Sequence, residues 1–177
     1  LLDAAGVAAQ RVRSIAVDCG PGSFTGIRIG IATARGLADG WGIPVWGVSQ
    51  FDAFPAASAG QARLVLIDAG YGRGVYYQIE HGADVKRGFS PIEELEKIEA
   101  IACGNGIVMG WRDGVKLDER RWRWSEQSVN TNADAIGRAA LRLKAAGKEL
   151  AAEPLYLHTH AYAKSAGKEQ PMKSLER

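Results

Sequence analysis

The residues best placed to do chemistry in this chain form one run, Asp18-Cys19-Gly20-Pro21-Gly22-Ser23-Phe24-Thr25-Gly26, where an apolar stretch turns through glycines into a helix. Free amides and the helix dipole at such a junction point at an anion, so phosphate binding is the first chemistry to test. The fit is partial. A P-loop needs lysine followed by Ser or Thr after its last glycine, and Ile27-Arg28 stand there instead. A dinucleotide fold wants an acidic residue ending the second strand, where this chain has Val48-Ser49-Gln50. Gly20, Gly22 and Gly26 match only a loosened nucleotide fingerprint, and a tight turn with close helix packing explains the same glycines without a ligand.

Ser23 as a nucleophile would need glycines two residues before and after it, at positions held by Pro21 and Thr25. A helix N-cap, supplied by Ser23 or Thr25, is the reading its position supports. Asp18 and Asp68 sit at strand ends, where open α/β sheets place their sites, but also where aspartate caps an adjoining turn. His158 and His160 would share a strand face, yet two imidazoles without a third ligand do not define a metal site. Arg112, Arg120, Arg121 and Arg123 lie among Trp111, Trp122 and Trp124, a mixture able to stack on and neutralise RNA. The alternation of Arg121 and Arg123 with Trp122 and Trp124 is also that of a half-buried edge strand.

These groups need elements to hold them. Ser14 to Val17 is a short strand, and the helix after the glycine turn carries Gly22, Gly26, Gly30, Ala34 and Ala38 at every fourth position. That spacing stacks them into a ridge almost without side chains, flanked by Ile27, Ile31 and Leu37, and suited to tight helix pairing. A second strand over Ile43 to Val48 completes a βαβ unit with parallel strands. Ser49 caps a helix through Phe51 and Phe54 that Pro55 shortens, and Arg63 to Asp68 is a strand buried on both faces. Val75 to Glu80 returns as a hairpin strand. Ser90-Pro91-Ile92-Glu93 resembles a capping box, which predicts a helix to about Ala100. Gly106 to Gly110 and Arg121 to Trp124 follow as strands. Asn132 then caps a helix along Ile136, Ala140 and Leu143 that stops at Gly147, and Glu153 to Leu157 is extended.

The 177 residues, 46% hydrophobic, suffice for one domain or one and a half. Lys and Arg number 22 against 20 Asp and Glu, so the net charge of +2 gives no general attraction to nucleic acid or membrane. The two cysteines, Cys19 and Cys103, lack metal or redox spacing, and a reduced cytoplasmic setting is expected. Leu1 to Gly6 reads as the last turn of a helix closing on glycine, so the beginning of the domain is expected to be missing. The tail from Lys164 to Arg177 is polar and expected to be mobile.

The run Gly20-Pro21-Gly22-Ser23-Phe24-Thr25-Gly26-Ile27-Arg28-Ile29-Gly30, continued by Ala32-Thr33-Ala34-Arg35-Gly36-Leu37-Ala38, Ile43-Pro44 and Gly47-Val48-Ser49, closely resembles the TsaB (YeaZ) family. Looser similarity extends through Asp68-Ala69, Val75-Tyr76 and Pro154-Leu155-Tyr156-Leu157. The resemblance implies an actin-like, sugar-kinase-like (ASKHA) α/β fold of two related halves, the first truncated at its N-terminus. The halves would be residues 1–50 and 51–163, followed by the tail 164–177. It implies a non-catalytic scaffold that binds and stabilises a TsaD-like threonylcarbamoyl transferase acting on an adenosine of tRNAs that read ANN codons. No catalytic residue, metal or cofactor of its own is implied, ATP being handled by the partner complex. Implied partners are the TsaD-like transferase, a TsaE-like ATPase, tRNA reached through the complex, and a second copy through the 22–40 helix, with no membrane. The implied interface comprises Gly22, Ser23, Phe24, Thr25, Gly26, Ile27, Arg28, Gly30, Ile31, Ala34 and Leu37. The competing reading is a nucleotide-binding or peptidase-like enzyme of the same fold. One departure concerns Gly70 to Gly74, where the family carries Arg and Glu before Val-Tyr.

Overall fold

The first strand, β1 (Ile15–Asp18), pairs in parallel with β2 (Val45–Val48), and helix α1 (Phe24–Trp41) makes the crossover between them, as the βαβ pattern predicts. In this computed structural model, residues 2–56, 58, 60–70, 74–91, 94, 106–112, 115, 117–126 and 131–157 are described. Leu1, Cys103, His158, His160, the loop residues Tyr71 to Arg73, the tail and most of the expected 90–100 helix lie outside them. Ser23 caps α1 by accepting the Gly26 amide, and Gly42, in the left-handed conformation, ends it. Ile27 and Ile31 pack from α1 onto Val17 of β1 and Val45 of β2, each burial stabilising the fold by about 2 kcal/mol.

The second sheet has five strands in the order β5-β4-β3-β6-β7. Its centre is β3 (Ala62–Asp68), whose first five residues are buried, in keeping with its continuous apolar run. β4 (Gly74–His81) and β6 (Gly106–Gly110) flank β3, the first antiparallel and the second parallel. β7 (Trp122–Trp124) is the outer strand beside β6. At the other edge lies β5 (Asp84–Pro91), paired antiparallel with β4 over its whole length. This corrects the capping-box reading at its start, the helix expected to about Ala100 lying almost wholly outside the described residues. Ser90 and Pro91 close a strand, and Ser90 is buried opposite Val75 in the ladder rather than free to cap a helix.

Ser49 caps the short helix α2 (Gln50–Ala53), which Phe54 ends one residue before Pro55. Phe51 and Phe54 pack onto one face of the second sheet against Val65, Tyr76 and Met109. Helix α3 (Ala133–Ala145), capped by Asn132, brings the chain back to the first sheet. Its Ile136, Ala139 and Ala140 are buried against Val48, with Ala16 and Trp46 beside them. The β1–β2 pair is thus covered by α1 and by α3. The segment 150–157 then runs as a strap: the Gly47 amide donates to the Leu150 carbonyl at 3.0 Å and the Leu155 amide to the Cys19 carbonyl at 2.8 Å. Among the described residues no helix is long and apolar enough to cross a membrane.

Candidate interface on helix α1

At the glycine turn, hydrogen bonds within the chain occupy the first amide. The Gly20 amide donates to Asp18 Oδ1 at 2.7 Å, and Gln50 Nε2 donates to Asp18 Oδ2 at 2.7 Å. The Gly20 carbonyl in turn accepts the Gln50 amide at 2.9 Å and the Ser49 hydroxyl at 3.1 Å. The first amide of the turn is therefore spent on a carboxylate of the same chain. A phosphate approaching there would meet Asp18 rather than a free donor. Burial is the main influence on Asp18 and raises its pKa, partly offset by the Gly20 and Gln50 hydrogen bonds. Gly20 itself has a φ of 97°, and a Cβ there would stand 2.7 Å from Ile27 Cδ1. Asp68 behaves like Asp18: its Oδ1 accepts the Gly70 amide at 2.8 Å. Ser23 spends its hydroxyl on the Gly26 amide as the α1 cap, as its sequence position suggests.

The small-residue ridge divides between two environments. Ile27, Ile31, Ala34 and Ala38 are buried, Ile27 and Ile31 against Val17 and Val45 of the chain's own sheet, and Gly30 lies against Val17. The remaining named residues stay on the surface or near it: Ser23, Phe24, Thr25, Gly26, Arg28 and Leu37 are exposed, and Gly22 is half-buried beside Gln50.

The exposed side of α1 has a composition of its own. Thr25, Ile29, Ala32, Thr33, Gly36 and Gly40 recur at three- and four-residue steps and form one outward stripe, with Leu37 and Trp41 beside it. Ile29 is 61% exposed, Leu37 45% and Trp41 41%. A Cβ at Gly36 or Gly40 would meet nothing within 4 Å. The charged residues of this helix, Arg28, Arg35 and Asp39, fall on one flank, so the stripe carries no charge. An ordinary solvent-facing helix is polar on that side. The signal was present in the sequence, because the step of seven from Arg28 to Arg35 and of four to Asp39 already puts the charges together.

The charged flank is tied to the strap. Arg35 Nη2 donates to the Ala152 carbonyl at 2.7 Å, and Arg28 Nε donates to the Tyr156 hydroxyl at 2.7 Å. The Arg28 guanidinium also stacks on Phe24, 3.7 Å from the ring centroid.

The other sequence candidates resolve as follows. Trp122 is buried, Arg121 and Arg123 are exposed, and Arg112 lies over the Trp124 ring at 4.9 Å, so the alternation of an edge strand is present. Cys19 is buried and free, and burial pushes its thiol pKa up. Among the described residues no group of three or more His, Cys, Asp or Glu could hold a metal ion.

The fold is mixed α/β, and the outward face of α1 is exposed and uncharged. The fold itself recurs in two solved structures of Pseudomonas aeruginosa proteins: one is YeaZ, the other is described as uncharacterised with similarity to the peptidase YEAZ. Each matches with a TM-score of 0.58 at 24% identity over 89% of this chain, and the match spans 80% and 79% of those chains respectively. The family model described as "TsaD: tRNA N6-adenosine threonylcarbamoyltransferase" matches residues 1–116. The tRNA threonylcarbamoyladenosine biosynthesis protein TsaB of Escherichia coli K12 is 33% identical over 190 aligned positions, covering 96% of this chain and 81% of that protein. The Haemophilus influenzae TsaB is 40% identical over 58 residues, 33% of this chain and 25% of that one. The chain belongs to the TsaB (YeaZ) family, within the broader family that the TsaD model describes.

Proposed function

We propose that this protein acts in tRNA threonylcarbamoyladenosine biosynthesis as a subunit without a reaction centre of its own, binding and stabilising a TsaD-like transferase through the outward face of α1. The observation that carries the reading is the uncharged stripe of Thr25, Ile29, Ala32, Thr33, Gly36 and Gly40 with Leu37 and Trp41 at its side. Exposed glycines on a helix let a second helix approach closely, and the flanking apolar groups then gain burial. The match of residues 1–116 to the TsaD family supports a partner of related fold. Two chains of one fold can meet through equivalent helices about a pseudo-twofold axis. A second copy of this chain competes for the same face, and a TsaE-like ATPase and tRNA join through the assembled pair. The engagement of the turn by Asp18, Ser49 and Gln50 favours this scaffold over a nucleotide-binding or peptidase-like enzyme.

The test replaces Gly36 or Gly40 with Leu, outside the core, and measures co-purification with the TsaD-family subunit of the same genome and the modified-adenosine content of tRNA. Pairing and modification should both fall at least tenfold while the variant stays folded. Unchanged pairing in both variants sinks the reading.

A further inference from the structure

Beyond the helix stripe, one surface group is built rather than merely exposed. Arg28 projects from the first turns of α1 and is clamped from two sides by residues of different origin. Phe24, one turn earlier, lies under its guanidinium at 3.7 Å from ring centroid to Cζ. Tyr156, 128 positions along the chain, takes its Nε–H at 2.7 Å and places its own ring 5.5 Å from Cζ. The two rings stand 5.4 Å apart at an interplanar angle of 34°. Yet this is not a buried core: Phe24 is 38% exposed, Tyr156 45%, and Arg28 is exposed.

The other arginines with described side-chain bonds are tied to groups of their own chain. Arg63 is paired with Glu80 and Arg138 with Asp134, Arg87 donates to Gln78, and Arg35, Arg112 and Arg142 donate to the Ala152, Ser125 and Asp52 carbonyls. Among the described residues no carboxylate pairs with Arg28. Its Nε is fixed by Tyr156, so the planar fork of Nη1 and Nη2 is held in one orientation and still has donors to give. The side-chain entropy that normally weakens a surface ion pair has already been lost.

We propose that Phe24, Arg28 and Tyr156 form an anchor at the N-terminal rim of the α1 interface, receiving an acidic side chain of the TsaD-like partner on the Arg28 fork while its neighbours pack on the two rings. The inference rests on the proposed function, since the anchor adjoins Thr25 and Ala32 of the docking stripe. Arg, Tyr and Phe are the residue types enriched at interfaces, and a preordered guanidinium favours one carboxylate geometry over others.

The test compares Arg28→Gln, Tyr156→Phe and Gly36→Leu for affinity toward the purified TsaD-family subunit of the same genome, at low and high salt, with thermal midpoints as a check on folding. Arg28→Gln should weaken pairing at least tenfold and flatten its salt dependence. Tyr156→Phe, which keeps the ring but frees Nε, should weaken it severalfold. If Gly36→Leu abolishes pairing while Arg28→Gln stays within twofold, the anchor is overturned and the helix interface stands. If none of the three matters, the interface reading falls first. A loss confined to affinity for an unmodified tRNA transcript would also overturn the anchor, making the patch an RNA contact.

Discussion

Gly47 of β2 lies directly beneath Ala151 of the strap, so close that a Cβ at Gly47 would meet the Ala151 carbonyl oxygen and stand 2.5 Å from Ala152 Cα. The Gly47 amide also donates to Leu150. The strap can lie on β2 only because this residue has no side chain. Its obstacle is backbone rather than a flexible side-chain end, so Gly47→Ala should destabilise the protein by about 3 kcal/mol. Urea unfolding would show the loss in midpoint. A change within experimental error would mean that the strap can lift away without cost.

Gly36 is the opposite case, facing open space in the middle of α1. Gly36→Ala should stabilise the isolated chain by about 0.5–1 kcal/mol, because alanine loses less backbone freedom on entering a helix. The same variant should weaken pairing with a TsaD-like subunit. Higher thermal stability together with poorer pairing would separate an interface glycine from a structural one.

Arg63 and Glu80 form an ion pair across the β3–β4 ladder, with the arginine side chain 5% exposed. The Arg63 guanidinium also holds the Phe54 and Pro55 carbonyls, at 3.1 and 3.0 Å, and Gln78 donates to the same Glu80 carboxylate. Arg63→Met should cost about 3 kcal/mol by leaving those acceptors and a partly buried charge without their partner. Adding Glu80→Leu should recover part of the loss. A double-mutant cycle with no coupling would show that the pair contributes nothing beyond its separate contacts.

Asp18 and Asp52 both have carboxyl pKa values raised above the usual 3.8, burial being the main cause in each. The folded protein therefore holds these protons to higher pH than the unfolded chain does. Between 3.8 and the raised folded values the native state binds more protons, so stability falls as pH rises through that window. Asp18→Asn keeps an acceptor for the Gly20 amide and should flatten this slope. Urea midpoints between about pH 4 and 7 would test it, and an unchanged slope in the variant would remove Asp18 from the account.

Local signals were legible wherever a short stretch of chain determines its own hydrogen bonds or burial. Ser23, Ser49 and Asn132 announce helix starts, Gly147 carries the positive φ that ends a helix, and the apolar run of β3 reports burial on both faces. Strand β5 was not legible. Its first four residues are exposed, so no burial imposed an alternating pattern, and the Ser-Pro at its end looked like a helix start.

What the sequence determined alone is most of the elements other than β5, the parallel βαβ crossover and the family signature, because each follows from neighbours within a few residues. Tertiary structure decided which face of α1 is free. Small residues populate both sides of that helix, and only the position of β1 and β2 committed Ile27 and Ile31 to the core and left Gly36 and Gly40 outside. Likewise, Arg28 meets Tyr156 across 128 positions because the strap folds back over β2, a contact that no local period encodes.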